Sequence, residues 1–307
     1  MLYTTTRNAI DTYTAHRALC EEYAPDGGIY VPFHLPVFTS AELSDIQNQS
    51  FEDTVAQVLN VFFGLRLNGM DIRSAVGTNS VAEITLGQKV TIAEMWHNPL
   101  GDWPFVCKRL YELTANKNCI PVGWSRIAME IALLFGVYSA TGYTRSSFDV
   151  AVTADDLSEM TAVLFAKEMG LPVGLAVCAC DEKSALWDLV NKGDFSAGGS
   201  QPHYLEAFLY KSLGRLAVLQ YLDAAKNKAV CHLTEEQTEL LSSSMFVAVV
   251  SANRVDTVTS SMYNTNRYTM DAKTALSYGA LQDYRANTGN NKNTLLIAKQ
   301  HPLRIKE

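Results

Sequence analysis

From Phe148 onward the apolar residues alternate between two periods. Phe148-Asp-Val-Ala-Val-Thr153 has the near-continuous apolar run of a buried strand, and Ser158 to Met169 has the spacing of a helix closed by Gly170. Leu171 to Cys180 reads as a second strand, and Glu182 to Asn191 as a helix closed near Gly193. Strand, helix and strand in succession predict a parallel sheet with right-handed crossovers, so the fold class is α/β. A long helix is expected over Tyr204 to Lys226, followed by shorter segments at Glu235 to Leu241 and Phe246 to Ser251. Thr274 to Tyr284 predicts a helix and Thr294 to Ala298 a last strand, while Gly198-Gly-Ser200 and Asn287 to Asn293 read as loops.

Before Phe148 the pattern is more mixed. Ala9 to Tyr23 is helical in period, Ala24-Pro-Asp-Gly-Gly28 is a turn, and Ile29-Tyr-Val-Pro32 is a short strand. Ser40 and Ser50 each stand where a hydroxyl caps the free N–H groups of a helix, and Val55 to Phe63 continues at helical spacing. Val90 to Trp96 is strand-like and Trp124 to Tyr138 helical. Two parts are expected: a small N-terminal α/β unit, residues 1–89, and a sheet-bearing remainder, residues 90–307.

Composition narrows the function classes. With 48% hydrophobic and 19% charged residues in 307, a packed core is well supplied. The net charge is -7 and no Lys/Arg run occurs, so neither a phosphate backbone nor an anionic membrane surface is an expected partner. The longest apolar stretch, Ile127 to Tyr138, contains Glu130 and falls short of the roughly 18 residues a membrane span needs. Six scattered cysteines without a secretory signal predict reduced thiols and a cytoplasmic protein, with Cys178 and Cys180 as core residues. No H-x-x-x-H or C-x-x-C spacing supports a metal site.

Several segments, in order, carry a resemblance. Tyr3-Thr-Thr-Thr-Arg7 is similar to Y-x-S-T-R-G, and Tyr23-Ala-Pro-Asp-Gly-Gly-Ile-Tyr-Val-Pro32 to A-P-D-G-G-L-Y-V-P. Ala166-Lys-Glu-Met-Gly-Leu-Pro-Val173 is similar to A-K-x-M-G-L-P-I, and Tyr268 to Tyr278 with His301-Pro302 echo two closing segments. Together they resemble the threonine synthase family of fold-type II pyridoxal-phosphate (PLP) enzymes. The resemblance implies a truncated tryptophan-synthase-beta-like fold: a doubly wound, mostly parallel sheet behind the small N-terminal unit.

The same resemblance places the departures on the cofactor residues. The family's H-G-P-T-x-A-F-K-D loop is matched by His97-Asn-Pro-Leu-Gly-Asp-Trp-Pro-Phe105, with Pro104 where the PLP lysine belongs. Proline has no amine to form a Schiff base. Thr153-Ala-Asp-Asp-Leu-Ser158 replaces the phosphate-cradling P-S-G-N-F-G, bringing Asp155 and Asp156 where a phosphate would sit. Lys299 stands in place of the threonine that partners the pyridine nitrogen, and Lys273 in place of a histidine. Between the lysine loop and Pro121-Val-Gly-Trp-Ser-Arg126 the family carries roughly a hundred residues, about one small domain. Here Leu113 to Cys119 joins the two ends directly.

These departures predict no PLP, no other cofactor and no metal. The favoured reading is a threonine synthase-like pseudoenzyme acting as a binding or assembly protein. The alternative is a PLP-independent lyase or isomerase acting on an amino-acid-like metabolite. Candidate residues in the relic cleft are His97, Asp102, Asp155, Asp156 and Lys299. Each also has a plain structural reading: a loop hydrogen bond for His97, a turn for Asp102, helix capping for the Asp pair, a carboxylate partner for Lys299. Self-association or a protein partner is expected at the surface left by the missing domain, with Trp103, Pro104, Phe105 and Val106 facing outward and Trp124 to Tyr138 contributing. Inward folding of the same segment into the empty cavity is the competing arrangement.

Overall fold

The computed structural model describes residues 1–77, 81–87, 89–97, 101–141, 147–180, 184–197 and 201–303. The expected loop at Gly198-Gly199-Ser200, the centre of the His97 loop (98–100) and Glu182 lie outside the described residues.

The chain begins with a small antiparallel sheet of order β2-β1-β3, built from β1 (Leu2–Thr5), β2 (Tyr13–Thr14) and β3 (Tyr30–Pro32). The helix expected from Ala9 is shorter than its pattern: Tyr13 pairs with Tyr3 in the sheet, and α1 runs only over Ala15–Cys20. Next come α2 (Ser40–Ile46), α3 (Phe51–Phe63) and α4 (Gly69–Val76). Thr39, not Ser40, caps α2, in a capping box with Glu42, while Ser50 caps α3 as its position predicts.

The second sheet takes β4 (Ala82–Leu86) and β5 (Val90–Glu94), then the helices α5 (Trp103–Ala115) and α6 (Gly123–Ala140). β6 (Phe148–Thr153), α7 (Ser158–Glu168) and β7 (Val173–Cys180) form the expected strand–helix–strand unit. α8 (Ala185–Lys192), β8 (Asp194–Ser196), α9 (Leu205–Leu213), α10 (Arg215–Lys226), β9 (Val230–His232) and α11 (Glu235–Ser244) follow. β10 (Met245–Val249), α12 (Ala252–Asn266), α13 (Ala272–Thr288) and β11 (Thr294–Ala298) complete the described elements. The single long helix expected over Tyr204 to Lys226 is two helices. Gly214, at φ +83°, breaks it in a backbone conformation open to a residue without Cβ.

The six-stranded order is β10-β7-β6-β11-β5-β4, parallel throughout except that β4 runs antiparallel to β5 at the edge. Helices cover both faces. One core packs α3, α6, α7 and α9 against the sheet, and the other is centred on α12 and α13. This is the doubly wound arrangement of a fold-type II enzyme.

The winding explains where a site belongs. From β6 the chain moves outward through β7 to β10, then returns across β6 to place β11 on its other side. The direction of winding changes between β6 and β11. Loops leaving the carboxyl ends of those two strands diverge there and leave a crevice.

α6 is the central post. Every residue from Gly123 to Tyr138 except Arg126 is buried, so the helix has no apolar face to spare for a partner, contrary to expectation. Gly136 lets it approach α3: a Cβ there would stand 2.8 Å from the Phe51 ring and from Val55 Cγ2.

Candidate functional site

The crevice at the β6/β11 switch holds a cavity of about 170 Å³ lined by residues from α5, α6, α7 and α13 and the ends of both strands. Thr153 ends β6, and the turn behind it carries Asp155 and Asp156 into α7. Lys299 follows directly on β11, and Lys273 lies in the first turn of α13. Of the expected site residues, Asp155, Asp156 and Lys299 line this cavity, joined by Lys273.

Each charge is already engaged with a neighbour. Lys299 Nζ forms an ion pair with Glu159 of α7, their side chains only 14% and 6% exposed. The ammonium also lies 5.8 Å from the centre of the Trp103 ring. Burial alone would lower the Lys299 pKa; the carboxylates of Glu159, Glu130 and Asp155 outweigh it and hold the value above the ordinary lysine range. At the mouth, Lys273 Nζ meets Asp155 Oδ2 at 2.5 Å, with both side chains about half exposed. Burial would raise the Asp155 pKa, but the hydrogen bond and charge of Lys273 prevail and depress it.

Asp156 serves the helix. Its Oδ1 accepts from the Ser158 backbone N–H at 2.9 Å and from Ser158 Oγ at 2.7 Å. The amide that an external anion would seek at this N-terminus is therefore taken by the chain's own carboxylate. Leu157, at φ +69°, makes the sharp entry that brings Asp156 back over the helix.

Beneath these lies a pair that the sequence reading did not single out as functional. Arg126 Nη2 bonds Glu130 Oε1 at 2.9 Å, one turn along α6. Trp103 Nε1 donates to the same Oε1 at 3.2 Å. Burial pushes the Glu130 carboxyl above its ordinary pKa, with Arg126 pulling the other way. The signal was present: an Arg and a Glu four residues apart on an otherwise apolar helix. Glu159 and Trp103 gave no comparable signal, because their partners lie 140 and 27 residues away.

The segment expected to face outward divides. Trp103 and Val106 are buried, whereas Pro104 and Phe105 are exposed, Phe105 by 46%. The correction follows from helix geometry. Asp102 caps α5 by accepting from Phe105 N–H at 2.8 Å, so positions three apart, 103 and 106, share the inner face. Trp103 becomes a wall of the crevice and Val106 joins the main hydrophobic core. Asp102 itself is a helix cap and does not line the cavity.

His97 is also outside it. Its Nε2 hydrogen-bonds Glu94 Oε2 at 2.6 Å, and its ring stacks on Trp96 at 4.3 Å. Tyr268 OH donates to the other Glu94 oxygen at 2.7 Å. His301 packs edge-on against Trp96, 4.6 Å between ring centres. These residues form a separate cluster beyond the end of β5. Cys178 and Cys180 are core residues, as expected. Among the described residues no group of three His, Cys, Asp or Glu side chains is arranged to hold a metal ion, and no helix is long and apolar enough to cross a membrane.

Comparisons with known proteins agree with this architecture. A family model described as the threonine synthase N terminus matches residues 2–79. No curated protein matches the sequence. The chain is similar in structure to PLP-bound threonine synthase from Brucella melitensis, with a TM-score of 0.86 and 16% identity over 98% of this chain and 89% of that one. Threonine synthase from yeast gives a TM-score of 0.80 at 16% identity, covering 98% and 87%. The Escherichia coli enzyme gives 0.72 at 14%, covering 98% and 89%. The protein therefore has a threonine synthase-like, fold-type II architecture over nearly its whole length, and opens with a segment of the threonine synthase N-terminal type.

Proposed function

We propose that this chain keeps the threonine synthase scaffold without PLP chemistry and works as a non-catalytic binding protein. One observation carries the reading: the buried Lys299–Glu159 ion pair, roofed by Trp103, stands in the crevice where the cofactor would lie.

The residues present do not fit PLP. The cofactor requires an unprotonated amine to attack its aldehyde and donors to receive its phosphate. Pro104 has no amine, Lys299 is held as an ammonium by its carboxylate neighbours, and Lys273 is paired with Asp155. Asp155, Asp156 and Glu159 would face the phosphate. Each unit-charge repulsion at 4–6 Å costs about 1–4 kcal/mol with effective screening. The volume points the same way: about 170 Å³ is below the ~300–1,000 Å³ usual for sites of larger organic ligands.

Support for binding over chemistry comes from the closure of these charges on one another. The one imidazole among the expected site residues, His97, is engaged by Glu94 and is not among the residues lining the cavity. The test is spectroscopic. Purified protein titrated with PLP is expected to develop no lysine–aldimine band beyond that of the urea-unfolded chain. A borohydride-sensitive band in excess of that level would refute the reading. Pro104→Lys alone is expected to leave the spectrum unchanged, because the acidic turn persists.

A further inference from the structure

We propose that Cys20 and Cys119 are a redox-controlled cross-link: a low-molecular-weight disulfide of the glutathione type converts the two thiols into one intramolecular disulfide. The bridge fastens the N-terminal unit to the junction between α5 and α6. The proposal is independent of what the crevice holds.

The fold brings the two segments together. Lys117 Nζ donates to Cys20 O at 3.2 Å, which ties the junction to the end of α1. Gly123, at φ +54°, lies so close to Glu22 that a Cβ there would collide with the Glu22 carbonyl oxygen. Cys119 falls between these two contacts in sequence, on a turn, Asn116 to Ile120, in which every residue is exposed. Buried Tyr111 is the common neighbour of both thiols. Burial pushes its hydroxyl up to about 12, and Cys119, by charge and by hydrogen bond, and Cys20, by charge, push it the same way. The other four cysteines are buried, so these two are the thiols a solute can reach.

The chemistry has its parts in place. Cys119, the exposed thiol, is met first: its thiolate attacks one sulfur of the small disulfide, that S–S bond breaks, and one small thiol leaves with the Cys119 proton by way of water. His16 Nδ1 stands 3.9 Å from Cys20 Sγ and takes the Cys20 proton. The Cys20 thiolate then attacks Cys119 Sγ, the mixed disulfide breaks, and the second small thiolate leaves and takes up that proton. Two protein thiols are oxidised and one small disulfide is reduced to two thiols. Closure needs the two Cα atoms within roughly 7 Å of each other. The exposed turn carrying Cys119 is the kind of segment that moves at low cost.

The experiment is peptide mapping by mass spectrometry of the full chain, first reduced, then incubated natively with glutathione disulfide and quenched in acid. The Cys20 peptide is expected joined to the Cys119 peptide, with a loss of about 2 Da per chain, while the four buried cysteines stay free. Cys20→Ser is expected to stop at the glutathione adduct on Cys119. His16→Gln is expected to resolve that adduct roughly three- to tenfold more slowly. The bridged chain is expected to unfold at higher urea, because closing so long a loop restricts the unfolded chain. The mapping of the unaltered chain decides the matter without either variant. Glutathione retained on Cys119 of that chain, a dimer joined through Cys119, or a lower urea midpoint for the bridged form overturns the proposal. Resolution of His16→Gln at the parent rate overturns the role given to His16.

Discussion

Replacing Lys299 by methionine removes one half of a buried ion pair in the crevice. Glu159, 6% exposed, is left as a carboxylate without its ammonium. Breaking a buried pair in this way costs about 3–5 kcal/mol, because one charge remains desolvated and uncompensated. Replacing both partners, Lys299→Met with Glu159→Leu, removes both charges and is expected to recover most of that loss. The mouth pair is the internal control. Lys273 and Asp155 are about half exposed, so Lys273→Met is expected to cost ~1 kcal/mol or less. Urea unfolding of the four proteins reads the differences as midpoint shifts at constant slope. The pH dependence has a definite sign. The Lys299 pKa is raised on folding, so its stabilisation is full below the ordinary 10.5 and is lost as pH rises through the higher folded value. The gap between wild type and Lys299→Met should therefore be widest near neutrality and narrow in strong alkali. A single-variant cost under about 1 kcal/mol, or a double variant no better than the single, would refute the buried-pair argument.

Thiol accessibility gives a second check. Cys119 is exposed and Cys20 half-buried, so both should react with a thiol reagent in the native state. Cys107 is buried and its thiol is pushed up to about 12 by burial; Cys178 is raised likewise, and both should react only after denaturation, as should Cys180 and Cys231. Modification of Cys107 or Cys178 in the folded protein, mapped by peptide mass, would contradict the packing of α5 and the central strands. Gly136→Ala places a methyl 2.8 Å from Phe51 and Val55, and the overpacking should cost about 1–3 kcal/mol in urea unfolding. Unchanged stability would show that α3 and α6 approach less closely than described.

Much of the sheet was legible in the sequence, for a physical reason. β6 and β11 are buried on both faces, so their apolar runs are nearly continuous and their limits coincide with the pattern. α12 was missed because only Val258 and Met262 of its fifteen residues are buried, too thin an apolar stripe to set a period. β1 and β4 are short and lie among polar residues, so alternation had little length in which to show. The break at Gly214 was hidden because an apolar helical pattern continues on both sides of it. At the site, Asp155, Asp156 and Lys299 were legible by resemblance to the cofactor residues they replace. Their partners were not. Lys299 meets Glu159 and Lys273 meets Asp155 only because the winding reverses between β6 and β11, and no local pattern records pairings across more than a hundred residues.

The central claim is that the chain's own charges exclude PLP from the place its scaffold would reserve for it. The most direct measurement is mass spectrometry of peptides from protein incubated with excess PLP and then reduced with borohydride, which fixes any lysine–PLP linkage made in the folded state. The account predicts that Lys299 carries no pyridoxyl mass, with any label confined to exposed and half-exposed lysines such as Lys273 and no greater than that of the urea-unfolded chain. Stoichiometric pyridoxyl modification of Lys299 in the folded protein, absent after unfolding, would contradict it.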